Sequence, residues 1–292
     1  LSGKQALANP AVNFNKGDLP MADLEGMPGF ADWKAISGNR LVRLKPGEMG
    51  RFTYSHRRIG EWLGARWLAK CADKPSKRDR LLARLTVNGI VPASLRGLFG
   101  WLGMHPTFTN AAISIDPMAM VEYGDADSLD AEQGTALLEA LDALATQDPW
   151  FRGWGNFRAK ALVHPQLLPQ TMRVVTDRNR NARLRMLLAE QLEGEQISDD
   201  IADQLMAMAL DGEDFFAMRS NAAAALAGNL SASSWPALIE QVRLQGTHDS
   251  IRLASEMALR VGLGHFSDCQ IVDTIFTECG FVLCAVPAEG ED

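Results

Sequence analysis

One short stretch gathers the residue types from which a site could be built: "RFTYSHRRIGEWLGARWLAK", residues 51–70. An alternating aromatic pair, Phe52 and Tyr54, leads into His56 and Arg57, and then into a helical pattern that carries Glu61. An imidazole beside guanidinium groups at the start of a helix suits the binding of an anion, because the first helical N–H groups also point outward there. Taken only as a local pattern, the same residues describe a strand-to-helix corner with a capping histidine.

The rest of the chain adds little chemistry. His105, His164, His248 and His265 complete the histidines, and the first two precede proline at expected helix starts, where capping or packing is the ordinary role. Cys71, Cys269, Cys279 and Cys284 form no CxxC unit and have no histidine at metal-ligand spacing, so they read as buried free thiols. "SGK" near the start lacks the upstream glycine of a phosphate loop, and Gln5 stands where Ser or Thr would reach magnesium. G-x-S-x-G, HExxH and GxGxxG are all missing from the sequence, so no catalytic and no metal-binding residue is assigned to this chain. In "WFRGWGNFR" the residues Arg152 and Arg158 flank Trp150 and Trp154, a pattern that suits packing of an interdomain loop better than base stacking.

The elements that must position His56 are mostly helical. Gly and Pro recur at short intervals through the first forty-odd residues, which predicts short elements and loops. From Phe52 onward Ile59, Leu63, Arg66 and Trp67 follow a three-to-four spacing, predicting one amphipathic helix that stops near "DKPSK". "RDRLLARLTV" predicts a second helix and "PASLRGLFGWLG" a third, with Pro92 in its first turn and Gly103 at its stop. Asp116 ahead of Pro117 is an N-cap, and Ser128 or Asp130 is another, opening a helix whose apolar face is Leu137, Leu138, Leu141 and Leu144.

Beyond "HPQLLPQTM" the chain resembles itself. With Arg185, Arg219 and Arg252 in register, "RMLLAEQLEG", "RSNAAAALAG" and "RLASEMALRV" align at spacings of 34 and 33 residues. Leu192, Leu226 and Leu259 then share one column, and Ala189 and Ala223 another. "SDDIADQLMAMAL" and "SWPALIEQVRLQ" lie between as partner helices, each followed by a polar turn. This period and pattern resemble HEAT-like repeats.

Composition fits an ordered globular chain: 47% of its residues are hydrophobic, enough for real cores. No apolar run approaches membrane-spanning length, and the expected location is the cytoplasm. The chain opens on Leu1, and "LSGKQALAN" reads like the tail of a helix, so a preceding region is expected. The net charge of −7 hides an asymmetry. Between Arg40 and Arg96 fourteen Lys/Arg face four Asp/Glu, giving +10 there and −17 over the remainder. Val121 to Pro149 holds eight acids and no base. Such patches are solvated faces, dock on one another or face partners; the acidic repeat region argues against nucleic acid.

The corner segment is similar to the F-x-H-R-x-x-x-E-[WFY]-L-A-A-R-[WY]-L pattern near the end of the NTPase module in NACHT-type STAND ATPases, a group that includes large bacterial anti-phage proteins and is related to animal inflammasome receptors. Phe52 or Tyr54, His56, Arg57, Glu61, Trp62, Leu63, Ala65, Arg66, Trp67 and Leu68 match it. Gly60 and Gly64 depart from it, and each is expected to weaken a helix by up to about 1 kcal/mol relative to Ala. "GIVPASLRGLFGWLGMHPTF" and "DPMAMVEYGDADSLDAEQGTALLEAL" resemble the segments that follow the motif, so the likeness covers approximately residues 40 to 170.

The resemblance implies that residues 1–70 are the winged-helix-like end of an NTPase module and 71–165 a helical connector, and the repeat pattern makes 166–292 HEAT-like repeats. The expected fold class is all-α with minor β in the N-terminal part. The resemblance further implies that His56 approaches the β-phosphate of ADP held by an ATPase core N-terminal to this chain. ATP or ADP would be bound by that full-length parent and not by this chain alone. The repeats would sense a phage or host protein, and their engagement would release the core, allow homo-oligomerisation and activate an N-terminal effector. A freestanding helical-repeat scaffold without nucleotide dependence is the alternative.

Overall fold

A computed structural model describes residues 19–20, 42–44, 51–148, 159–267, 270, 271 and 274. Among them are twelve α-helices and one small antiparallel sheet. The described residues are therefore mostly helical, as the periodicity from Phe52 onward predicts, with minor strand near the N-terminus. The strands are β1 (Leu19–Pro20), β2 (Val42–Leu44) and β3 (Arg51–Tyr54), with β3 in the middle. Leu19 lies opposite Phe52, and Arg43 opposite Thr53. None of the helices among the described residues is long and apolar enough to cross a membrane.

Contacts divide the chain into two compact units, residues 1–144 with 151–161, and residues 145–150 with 162–292. In the first unit β3 runs into α1 (Arg57–Cys71), followed by α2 (Pro75–Leu85), α3 (Arg96–Gly103), α4 (Thr109–Ile115) and α5 (Pro117–Tyr123). Helix α6 (Ala131–Gln147) contains the boundary. Helix α3 is the hub and packs on α1, α4 and α5. Its sequence, RGLFGWLG, explains this: Leu98, Phe99 and Leu102 are wholly buried while its glycines admit neighbours closely. A Cβ on Gly100 would stand 2.3 Å from the Ala119 carbonyl oxygen, so only glycine permits this approach of α5. Pro92 lies in the turn ahead of α3, where its carbonyl accepts from Leu95 N at 2.8 Å, and not in the helix's first turn as expected. Asp116 caps α5 by accepting from Ala119 N at 2.9 Å, as predicted. Asp130 caps α6, accepting from Gln133 N at 2.8 Å, while the Gln133 side chain accepts from Asp130 N.

In the second unit α7 (Leu168–Thr176), α8 (Ala182–Gln191), α9 (Asp199–Leu210), α10 (Phe216–Leu226), α11 (Trp235–Arg243) and α12 (His248–Val261) follow one another. Each consecutive pair, α7 with α8, α9 with α10 and α11 with α12, packs together. In addition α8, α10 and α12 contact in sequence, as do α7, α9 and α11. The expected columns hold in α8 and α10: Leu192, Leu226 and Ala189 are fully buried, and Ala223 nearly so. In α12 the expected register is wrong by one residue. Leu259 is 69% exposed and Arg252 lies at the surface, whereas Ile251, Ser255 and Ala258 are buried. The helix starts account for it: the N-caps are Asn181, Phe215 and Thr247, a step of 34 and then of 32 residues. Counting four residues from each cap yields Arg185, Arg219 and Ile251.

Candidate functional site

The corner between β3 and α1 is where the sequence concentrates its chemistry. His56 is the N-cap of α1, with extended backbone (φ −144°, ψ 136°), and its Nδ1 accepts from Arg58 N at 3.3 Å. A histidine accepting through Nδ1 carries its neutral-form proton on Nε2, so the outer edge of the ring is a donor. The residue is exposed, and its carbonyl accepts from Ile59 N. The first turn of α1 contains no acid and carries Arg57 and Arg58, so nothing there offsets the positive end of the helix dipole. The exposed Arg58 and the donor edge of His56 thus face outward at the positive end of the helix, while Arg57 is paired behind them.

What fixes the corner lies behind it. Arg57 Nε donates to Glu61 Oε1 at 2.5 Å and Nη2 donates to the Ser94 carbonyl at 3.2 Å, tying α1 to the segment entering α3. Glu61 is 1% exposed, which is tolerable only because its charge is paired. A Cβ on Gly97 would lie 2.2 Å from Glu61 Oε2, so glycine at that point of α3 makes the carboxylate's seat. Gly60 has a parallel role: a Cβ there would fall 2.6 Å from Tyr54 Cδ2. Gly60 and Gly64 both lie on the buried face of α1, and Gly60 is needed for contact with the Tyr54 ring.

The buried face of α1 differs from the expected one. Gly60, Glu61, Gly64, Ala65, Leu68 and Ala69 are buried, while Leu63 is 37% and Trp62 41% exposed. The Arg66 guanidinium lies over the Trp62 ring, 5.4 Å from its centroid, so this tryptophan is a surface cation–π partner and not a core residue. A second anchor holds α3 to α5. Arg96 bonds both oxygens of Asp116, at 2.9 and 3.2 Å, reaches Glu122 at 3.0 Å and covers the Tyr123 ring. Burial raises the Tyr123 hydroxyl's pKa and the neighbouring Glu122 charge raises it further. For Arg96 burial opposes the charge, but the Asp116 bonds outweigh it and the guanidinium is held above its usual value.

The other residues singled out from the sequence fall elsewhere. His105 and His164 both begin turns: the His105 carbonyl accepts from Phe108 N at 2.7 Å, and His164 Nδ1 accepts from Gln166 N at 3.4 Å. Cys71 is exposed, contrary to the expectation of a buried thiol, at the last residue of α1. Cys269, Cys279, Cys284, Phe52's side chain, Trp150, Trp154, Arg152 and Arg158 lie outside the described residues. Among the described residues no group of three or more His, Cys, Asp and Glu is placed to hold a metal ion.

In the sequence Arg185 and Arg219 serve only as register marks. Both are 1% exposed and bridge helices. Arg185 Nε donates to the Val175 carbonyl at 2.8 Å while Nη1 and Nη2 fork onto Asp214 at 3.2 and 2.5 Å. Arg219 Nε donates to the Ala209 carbonyl at 3.0 Å, and its Nη2 to Gln245 Oε1 at 2.7 Å. Their shared 34-residue spacing carries the signal, but burial of a cation is not what such a spacing ordinarily means.

Comparison with known proteins adds no relative: no protein-family model, no curated protein and no solved structure matches this chain.

Proposed function

We propose that this chain is the regulatory and sensor region of a bacterial STAND NTPase acting in anti-phage defence. Residues 1–70 form the winged-helix-like end of the NTPase module, and the paired helices α7 to α12 form a HEAT-like solenoid that senses a phage or host protein. The observation that carries the reading is the corner at His56. Its imidazole is exposed and caps α1 through Nδ1, leaving the Nε2 edge free of the cap at a helix start that also carries the exposed Arg58. A phosphate accepting from Nε2 would sit in the positive field of that helix end. Binding of ADP by the core would thus pull the corner against the core and restrain it. Engagement of the repeats by a trigger would break that restraint, with ATP binding, oligomerisation and effector activation following.

The paired packing of α7 to α12 supports the sensor half of the reading, since stacked helix pairs offer a long surface whose residues vary without disturbing the seams. The test begins with the parent polypeptide purified from its native host without added nucleotide. Denaturing it and separating the released nucleotides by chromatography should yield close to one ADP per chain. A parent with no bound nucleotide and no Walker motifs upstream of Leu1 would withdraw the reading in favour of a freestanding scaffold.

A further inference from the structure

Helix α2 presents a second feature that the corner does not use. Its sequence, PSKRDRLLARL, buries only Leu81 and Leu85, and its exposed face holds Lys77, Arg80 and Arg84 at helical spacing. Between that face and the end of α1 lies an open cavity of about 290 Å³, lined by Leu68, Cys71, Ala72, Leu81 and the three cations. The floor is aliphatic, and the rim is positive. Nearby acids balance it only in part: Asp73 pairs with the rim's Lys77 at 2.8 Å, while Asp79 pairs with Arg78, outside the rim, at 3.0 Å. The bond from Lys77 holds the Asp73 carboxyl below its usual range, so that acid stays ionised and its charge is already used. Arg80 donates to the Ser76 carbonyl, and among the described residues neither Arg80 nor Arg84 has an ion pair, so no carboxylate described offsets these two guanidinium groups at the rim.

We infer that this basic-rimmed cavity on α2 is a docking site for an acidic peptide segment of a partner protein, one that seats an aliphatic side chain on Ala72 and Leu81 and sets carboxylates against Arg80 and Arg84. Two properties select a peptide. The lining contains no aromatic ring on which a nucleobase could stack, which sets single-stranded nucleic acid aside. The cavity is the size of one or two side chains, between α2 and the end of α1, where a lipid surface would want a broad apolar face. An amphipathic acidic segment satisfies both halves of the site at once: guanidinium groups fork onto carboxylates, and the aliphatic anchor excludes water around them. This site is independent of any nucleotide role for His56.

Cys71 makes the site readable, since its exposed thiol lines the same cavity. The probe is a fluorescein-labelled helical peptide of Glu and Leu residues, offered to the 292-residue chain. Anisotropy should show saturable binding, and peptide-resolved mass spectrometry should show slower alkylation of Cys71 when the probe is bound. Replacing Glu by Gln, or Leu by Ser, in the probe should each weaken binding about tenfold. The Arg80→Ala, Arg84→Ala double variant should do the same, as should Arg84→Gln to a smaller extent, with unchanged thermal melting because both arginines are exposed. A tenfold rise in salt, from about 0.05 to about 0.5 M, shortens the screening length about threefold and should also weaken binding. The inference is overturned by no binding up to about 1 mM probe, by equal binding of the Gln probe, by an unaffected double variant, or by unprotected Cys71. Tighter binding of an oligonucleotide or of anionic phospholipid vesicles than of the probe would overturn it as well.

Discussion

Arg185 and Arg219 hold equivalent places in α8 and α10, and they make the same first bond, from Nε to a carbonyl ten residues back, but a different second one. Arg185 meets a carboxylate, Asp214, with both side chains almost fully buried. Arg219 meets the neutral amide of Gln245, whose own Nε2 donates to the Leu210 carbonyl at 2.6 Å. Burial therefore pulls the Arg219 pKa below its usual value, partly offset by the more distant charges of Asp249 and Asp214. The two steps teach that the position demands a long donor reaching between neighbouring helix pairs, while charge neutralisation is supplied once and shared. A planar guanidinium meets that demand; lysine, with one compact head, would not fork in the same way.

The largest effect is expected on the charged side of this comparison. Asp214→Ala leaves Arg185 buried without its counter-ion and should cost about 3 to 5 kcal/mol in denaturant melts. Leu226→Ala, in the seam beside Arg219, should cost about 2 to 5 kcal/mol by opening a cavity. Gln245→Ala should cost only about 1 kcal/mol, since its bonds are neutral in part and its residue is exposed. Equal losses for Asp214→Ala and Gln245→Ala would show that the two steps do not differ in charge balance. Leu259→Ala should stay within about 0.5 kcal/mol of wild type, as an exposed leucine's truncation does. A loss there of the size expected for Leu226→Ala would restore the register in which Leu259 shares its column.

The contrast also shows which features are legible in the sequence. Helix existence and caps are readable because Asp116 ahead of Pro117, and Asp130, act locally, through their own backbone neighbours, whereas Pro92 falls in the turn before α3. The repeat in α8 and α10 is readable because Leu192 with Leu226, and Ala189 with Ala223, recur with matching chemistry. In α12 the buried residues equivalent to Arg185, Ala189 and Leu192 are Ile251, Ser255 and Ala258, and an apolar Leu259 one residue on draws the alignment away. The face of α1 departs from its apolar pattern for a related reason. Apolar spacing favours Ile59, Leu63 and Trp67, whereas packing on α3 selects small residues and one paired glutamate, Glu61, whose seat on Gly97 is set by a residue 36 positions away. His56 is legible as a corner residue. Its cap and exposure are properties of the backbone at that corner, set by Arg58 N and the extended conformation of His56 itself.

The proposed role of His56 separates from capping through one substitution. Asp is as good an N-cap as any residue and accepts from the same backbone N–H, but it cannot donate to a phosphate. In the parent polypeptide, His56→Asp should therefore leave the melting temperature unchanged or slightly raised. The same variant should release labelled ADP at least about tenfold faster than wild type, the loss of one charge-assisted hydrogen bond. Wild-type ADP release from His56→Asp, with the fold intact, would show that His56 serves the chain only as the cap of α1 and would contradict the nucleotide-sensing account.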